Sequence, residues 1–349
     1  MGYEIDFLAV EAGEKSGDAI TFRIFNDQYF WVFVVDGGYT DSGDALVHHI
    51  NTYYHTNIVN LAILTHPDGD HANGMLRVVE RMDVKSLWMH QPWNHGNLSR
   101  LFSNDRVTDA SVTANLRRDL DAAKVIETAA SRRRVPITEP FTGTKFGDMI
   151  FVLGPALDFY QQQIAHFSCT PAPSAPPPRV GLRIAGSVPR QENWMSETLD
   201  HTCDTSAENN TSVILAVKFA DDYWGMFTGD AGETALVSAL DHMNPQFSTS
   251  RFKFVQIPHH GSEHNISPAV LNRWLGPPQL VDSRTRTAFV SSAAAAPKHP
   301  SEKVMNAFRR RGAWPYATEG RAIWQYSLDA PTRATYSNIA PYPFIQGAA

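Results

Sequence analysis

An apolar run at 59–64 leads into His66-Pro67-Asp68-Gly69-Asp70-His71, which places four potential metal ligands within six residues at the end of a predicted buried strand. His66 and Asp68 alternate in an extended loop, so both can face one point. Asp70 and His71 open the helix that follows and can face a neighbouring point. Imidazole and carboxylate together are the donor set for borderline and hard divalent ions. Two such groups a few ångströms apart would hold two metals around an attacking water. The plainer alternative is a polar turn in which Asp68 and Asp70 cap the helix. The flanking histidines argue against it.

The chain around this run alternates strands and helices. Strands are expected at 4–10, 18–25 and 29–35, the last (YFWVFVV) apolar throughout as a strand buried on both faces is, and then broken by Asp36-Gly37-Gly38. A helix at 44–54, a strand at 59–64, a helix at 76–82 and a strand at 86–89 continue an α/β pattern. The stretch 97–208 reads differently. It holds one helix at 110–130, the basic run Arg132-Arg133-Arg134, a strand at 149–153 and the segment TPAPSAPPPR at 170–179. Proline fixes φ and removes amide donors, so that last segment is excluded from regular structure. The whole stretch is expected to be an insertion decorating the fold. Order resumes with a hairpin (212–219 and 223–227), then helix 232–240, strand 252–257, helix 268–275, strand 288–291, helix 301–311 and strand 322–326. The expectation is a single domain over 1–349, with its core at about 4–96 and 209–328, as two sheets packed face to face with helices outside.

Two more segments carry polar residues at predicted strand ends. Phe227-Thr228-Gly229-Asp230 delivers a carboxylate after the hairpin, and Ile257-Pro258-His259-His260-Gly261-Ser262 delivers paired histidines after the next strand. Either alone is a common surface loop; together with the first run they are specific. Hydrophobic residues at 43% and charged residues at 19% leave ample core material, and the net charge of −6 argues against a basic coat for long nucleic-acid tracts while leaving a local basic groove open. Cys169 and Cys203 lack metal-binding spacing; a single bridge between them stays open, with reduced thiols the expectation. No apolar stretch reaches the ~18 residues of a membrane span. The first residues have neither the basic head nor the apolar body of a signal peptide, so a soluble cytoplasmic protein without membrane contact is expected.

The order of these motifs resembles that of metallo-β-lactamase-fold hydrolases, and within them the hydrolase domain of ComEC-type DNA-uptake proteins. The similarity rests on Asp68 in place of a second histidine, Asn209-Asn210-Thr211-Ser212-Val213, Pro258 to Ser262, His299-Pro300 and Gly17-Asp18-Ala19-Ile20. It implies a four-layer αββα sandwich with a large insertion. It further implies that His66 and Asp68 hold one divalent metal, that Asp70, His71 and His260 hold a second, and that Asp230 bridges them. Asp36 would support the site from behind. Asp70 would also orient or deprotonate the water, His259 would touch substrate, and Asn210 and His299 would lie beside the ligands or the substrate. Asn210 stands near where most members have a histidine, so one or two ions are expected. Oxygen donors at the first position favour manganese over zinc there.

The activity implied is metal-dependent hydrolysis of a phosphodiester, nuclease-like, with nucleic acid as the candidate partner. The alternatives are a small-molecule ester, lactone or phosphocholine-type phosphodiester as substrate, or an inactive binding scaffold. Other polar residues receive structural readings: His90 as a packing or surface residue able to reach the site, Arg132 to Arg134 as a solvated run or a phosphate contact, and Arg309 to Arg311 as complements to a helix C-terminus.

Overall fold

The computed structural model describes all residues except 11, 172, 175–190, 201–204, 244–248, 335, 337–338 and 349. From the N-terminus the chain forms β1 (Gly2–Phe7), β2 (Ala19–Phe25), β3 (Phe30–Gly37), α1 (Thr40–His49), β4 (Ile58–Val59), β5 (Leu61–Ile63), α2 (Gly69–Arg81), β6 (Asp83–Val84) and β7 (Leu87–Trp88). Next come α3 (Asp109–Asp119), α4 (Asp121–Arg133), β8 (Ile137–Thr138), β9 (Lys145–Phe146), β10 (Ile150–Gly154) and α5 (Leu157–Ile164). The remainder is α6 (Ala207–Asn210), β11 (Ile214–Ala220), β12 (Tyr223–Phe227), α7 (Glu233–Asp241), β13 (Phe252–Gln256), α8 (Pro268–Leu275), β14 (Arg286–Val290), α9 (Glu302–Arg310), β15 (Ala313–Ala317) and β16 (Ile323–Tyr326).

The strands make two large sheets, ordered β16-β1-β2-β3-β5-β7-β8 and β15-β14-β13-β12-β11-β10-β9. Between the sheets lies an aromatic core in which Phe22 stacks on Phe33 at 4.8 Å and Phe254 meets Phe289 edge-on at 5.1 Å. Each such pair adds roughly 0.5–1.5 kcal/mol beyond its buried area. The unbroken apolar character of β3 has its cause here: Phe33 and Val35 enter the inter-sheet core, while Val32 and Val34 face the helices. Helices α1, α2, α3 and α4 cover the outer face of the first sheet, and α7, α8 and α9 cover the second. The molecule is a four-layer αββα sandwich. No helix among the described residues is long and apolar enough to cross a membrane.

Three expectations are corrected. The stretch 97–208 is not decoration: β8 ends the first sheet, β10 pairs antiparallel with β11 in the second, and Val112, Leu116, Ile126 and Ala130 are buried in the helix layer. Its single helix at 110–130 is two, divided at Leu120 (φ −101°, ψ 45°), whose buried side chain turns into the core. The sheet also gains β15, which Pro315 hides from a propensity reading. As the edge strand of its sheet, β15 can hold a residue with no amide donor. Packing continues past 328 as well, since Arg333 pairs with the buried carboxylates of Glu4 (2.7 Å) and Asp6 (2.5 Å). Cys203 and most of 170–179 lie outside the described residues, and Cys169 is a free thiol.

β3, β5 and β7 are parallel to one another, as are β12, β13 and β14, so their C-terminal ends share one edge of the sandwich. One contact seats the helix that opens with Asp70 and His71 on that edge. A Cβ at Gly74 would lie 1.9 Å from the Gly37 carbonyl oxygen and 2.5 Å from that of Tyr39, so α2 crosses the end of β3 backbone to backbone. Gly74→Ala is expected to cost about 3 kcal/mol, the upper end of overpacking penalties, because rigid backbone opposes the new methyl. The check is the urea midpoint, which should fall clearly; an unchanged midpoint would show that the crossing can spread without cost.

Candidate metal centre

The cluster begins with Asp36, the fully buried residue near the end of β3, which adopts a left-handed backbone (φ 58°). Its Oδ1 accepts from the Thr65 amide (2.7 Å), and its Oδ2 accepts from the Thr65 hydroxyl (2.6 Å) and from His71 Nδ1 (2.8 Å). With its hydrogen given to Asp36, the Thr65 hydroxyl can only accept from His66 Nδ1, at 3.0 Å. His260 Nδ1 donates to the Ser291 carbonyl (3.1 Å). His259 Nδ1 donates to Asn265 Oδ1 (2.7 Å), and Asn265 is oriented because its Nδ2 donates to the Asp230 carbonyl (2.8 Å). All four imidazoles therefore carry their hydrogen on Nδ1 when neutral and present the Nε2 lone pair.

Those Nε2 atoms converge. His71 Nε2 is 3.3 Å from Asp230 Oδ1; His259, His66 and His260 Nε2 are 3.6, 3.9 and 3.9 Å from Asp230 Oδ2. Asp70 Oδ2 lies 3.6 Å from His260 Nε2 and 4.0 Å from His71 Nε2, and Asp68 Oδ2 lies 3.7 Å from His66 Nε2. Most of these separations exceed hydrogen-bonding distance. They sit near the ~3.3 Å between neighbouring ligands of a tetrahedral ion bound at ~2.0–2.1 Å. Moreover, Nε2 of His66, His71 and His260 and Oδ1 of Asp230 are shielded from solvent without a hydrogen-bond partner. Buried polar atoms left unpaired cost about 1–3 kcal/mol each, so a shared set of them fits the binding of a cation. The residues present fit a divalent metal.

Carboxylates and imidazoles in the cluster shift one another's protonation. Burial alone would depress the imidazoles, but Asp230 and its neighbours overcome it, raising His71 well above the usual histidine range and His260 to about 9. Burial pushes the Asp70 carboxyl up, yet His71 and His260 bring it down to about 2; Asp230 is likewise held well below its ordinary value. The backbone stores strain at the same edge: Asp36, His259 and His260 are non-glycine residues at positive φ (58°, 47° and 54°). Each such residue costs of order 1–2 kcal/mol, consistent with a site whose geometry is imposed by the fold.

The sequence motifs thus bring together His66, Asp68, Asp70, His71, Asp230, His259 and His260, with Asp36 behind them. Asp68 occupies the position before α2, but its side chain makes no capping bond and turns toward His66 instead. Asn210 ends α6 with its Oδ1 buried and unpartnered. His299 packs its ring 6.2 Å from that of His259, and burial lowers its pKa to about 4. Sequence reasoning missed Asp18, which lies 3.8 Å from His71 Nδ1 and accepts from Gln256 Nε2 (2.8 Å). Gln256 in turn accepts from the amides of Thr228 and Gly229, fixing the turn that carries Asp230. Asp18 figures in the Gly17-Asp18-Ala19-Ile20 resemblance, which gives it no role at the site. The basic runs serve the fold: Arg133 donates to the carbonyls of Glu80 and Met82, and the buried Arg310 and Arg311 pair with Glu192 and Glu197.

No family model and no curated protein matches the chain. Several solved structures are similar to it. Yeast PDE1 aligns over 92% of this chain and 98% of its own at 11% identity, with a TM-score of 0.42. The metallo-β-lactamase fold protein YhfI from Bacillus subtilis aligns over 93% and 99% at 6% identity, with a TM-score of 0.40. A metallo-β-lactamase superfamily protein from Sulfolobus tokodaii aligns over 77% and 83% at 12% identity and a TM-score of 0.31. The particular likeness to DNA-uptake proteins rests on the sequence motifs alone.

His90 lies apart from the cluster. It is buried, not a surface residue, and stacks on Tyr160 at 4.3 Å, with neither ring nitrogen hydrogen-bonded. Burial holds its pKa down at about 3. Unfolded, the ring would titrate near ~6.5, so between those values acid favours the unfolded chain. The stability involved is fully present above ~6.5 and falls by about 1.4 kcal/mol per pH unit below it, or about 2 kcal/mol by pH ~5. Urea unfolding of the parent and His90→Phe at neutral pH and near pH ~5 should show the variant losing about 2 kcal/mol less. Identical losses would mean the ring is protonated in the fold.

Proposed function

We propose that this chain is a divalent-metal-dependent hydrolase that cleaves an ester-type bond, phosphodiesters first, in a small substrate. The observation that carries it is the set of solvent-shielded, unpartnered Nε2 lone pairs of His66, His71 and His260 gathered around Asp230. A divalent ion held there supplies an activated water and stabilises the charge that develops on the substrate oxygen. Asp70, kept ionised down to about pH 2, serves as a ligand and orients the water; a carboxylate that acidic is a weak base. His259 is the most solvent-accessible imidazole of the group, its side chain 28% exposed, and with Nδ1 fixed by Asn265 it presents Nε2 to hold a proton near the leaving group. Oxygen donors from Asp68, Asp70 and Asp230 suit a hard ion such as manganese as well as zinc.

The surroundings favour a small substrate over a nucleic-acid strand. A cavity of about 850 Å³ opens beside His259 and His299, and Glu263, Glu302 and Glu319 contribute to its wall alongside Lys298. Three carboxylates repel a polyanion, and the buried arginines named above are engaged inside the fold. A metal-stripped protein restored with one ion at a time should hydrolyse a chromogenic phosphodiester faster than an oligonucleotide. Asp230→Asn should lower that rate at least 100-fold. A faster rate on DNA would return the reading to a nuclease, and full activity in the stripped protein or in Asp230→Asn would contradict metal-dependent hydrolysis.

A further inference from the structure

The opposite edge of the sandwich holds a second polar feature that the hydrolytic reading does not use. Parallel strands β12, β13 and β14 begin there, and they end at the metal centre, about 17 Å away for five-residue strands. A cavity of about 390 Å³ at this edge is lined by Lys253, Arg284, Arg286, Asp222, Thr287 and Gln325, among others. Three cations face one carboxylate, and that carboxylate, Asp222, is exposed at the rim.

Arg286 is the informative residue. It opens β14 and is largely withdrawn from water, yet among the described residues no acid pairs with it. Its Nε and Nη1 are shielded from solvent and have no hydrogen-bond partner. Burial without compensation lowers its pKa below the usual arginine value. Among the described residues the buried guanidiniums of Arg23, Arg310, Arg311 and Arg333 each have an acid: Arg23 has Glu4, Arg310 has Glu192, Arg311 has Glu197, and Arg333 has Glu4 and Asp6. A charge so far withdrawn from water is unfavourable without a partner, and two orphaned donors add to the penalty. Arg284 lies beside it with Nη2 donating to Thr287 Oγ1 (2.6 Å) and its guanidinium over the Tyr316 ring, which leaves its remaining donors open. Lys253 is exposed and free to turn inward.

We infer that this cavity is an oxyanion-binding site, separate from the metal centre, that takes a phosphate group between the Arg286 and Arg284 guanidiniums with Lys253 at the rim. Guanidinium donors in a fixed fork match the geometry of phosphate oxygens, and a partly enclosed pocket strengthens the pairing. The cavity is larger than one phosphate, so the anion is either free or part of a small phosphorylated molecule.

The test titrates the full chain calorimetrically with inorganic phosphate and, separately, with ribose 5-phosphate. Parent, Arg286→Met and Lys253→Ala are compared, and melting temperatures are recorded with and without phosphate. Arg286→Met should weaken binding at least tenfold and Lys253→Ala about threefold. Tighter binding of the sugar phosphate identifies a phosphorylated metabolite, and equal binding identifies the free ion. In phosphate-free buffer Arg286→Met should melt higher than the parent, because an unpaired buried charge is gone, and phosphate should no longer raise its melting temperature. No Arg286-dependent binding of either anion, or an Arg286→Met variant that keeps the parent's phosphate response, would overturn the site. Should Arg286→Met fail to fold, an unchanged affinity in Lys253→Ala and Arg284→Gln would do the same.

Discussion

The candidate metal centre hangs on the Asp36 carboxylate. Fully buried, it accepts three hydrogen bonds, from the Thr65 amide, the Thr65 hydroxyl and His71 Nδ1. Those bonds tie the end of β3 to the end of β5 and to the first turn of α2. They also set the tautomers of two rings at once, since the hydroxyl that donates to Asp36 must accept from His66. Carboxylates that hold a ligand histidine in this way fix its ring orientation and raise its basicity. A buried carboxylate without such donors would be costly, and His71 without Asp36 would be free to turn. Gly74 makes the arrangement possible, because only a residue without a Cβ lets α2 lie against the Gly37 carbonyl.

The two ends of the sandwich treat charge in opposite ways. At the C-terminal ends of the parallel strands, carboxylates and imidazoles meet with their lone pairs facing inward, and the deficit is of positive charge. At the N-terminal ends, Arg284, Arg286 and Lys253 gather with one exposed carboxylate, and the deficit is of negative charge. The buried Arg333, by contrast, has its acids: it lies against Glu4 and Asp6 and within 5.0 Å of the Trp324, Tyr53 and Tyr336 ring centroids. The clustering of unpaired groups of one kind at each end is what supports the two proposed ligand sites.

Much of this architecture was legible because hydrophobic period and breakers act locally. The run YFWVFVV shows a strand covered on both sides, and polar residues following strands 59–64, 223–227 and 252–257 show which edge carries chemistry. What stayed hidden depends on contacts between distant segments. Asp18 and Gln256 are 238 positions apart and meet only in the folded sandwich. Thr65 and Asn265 set the tautomers of His66 and His259, and no spacing rule announces that. The stretch 97–208 misled because β8 and β9 are two residues long and flanked by irregular chain, too short for a periodic signal, and because nothing local shows that the expected strand at 149–153, β10, pairs into the second sheet. Arg132 to Arg134 are exposed, as a solvated run is, whereas the run at 309–311 misled, since composition cannot tell a solvated arginine from Arg310 or Arg311, which are nearly fully buried.

The central claim is that this edge of the fold is a cation site built from Nε2 nitrogens. Anomalous diffraction from crystals of the full chain, soaked in manganese or zinc and measured at the metal's absorption edge, tests it most directly. The account predicts a peak bonded at ~2.0–2.2 Å to Nε2 of His71 and to a carboxylate oxygen of Asp230, with His66 or His260 completing the set through Nε2 and never through Nδ1. A map with no peak among these residues, or one in which the metal sits on an Nδ1 atom or on Cys169, would contradict it.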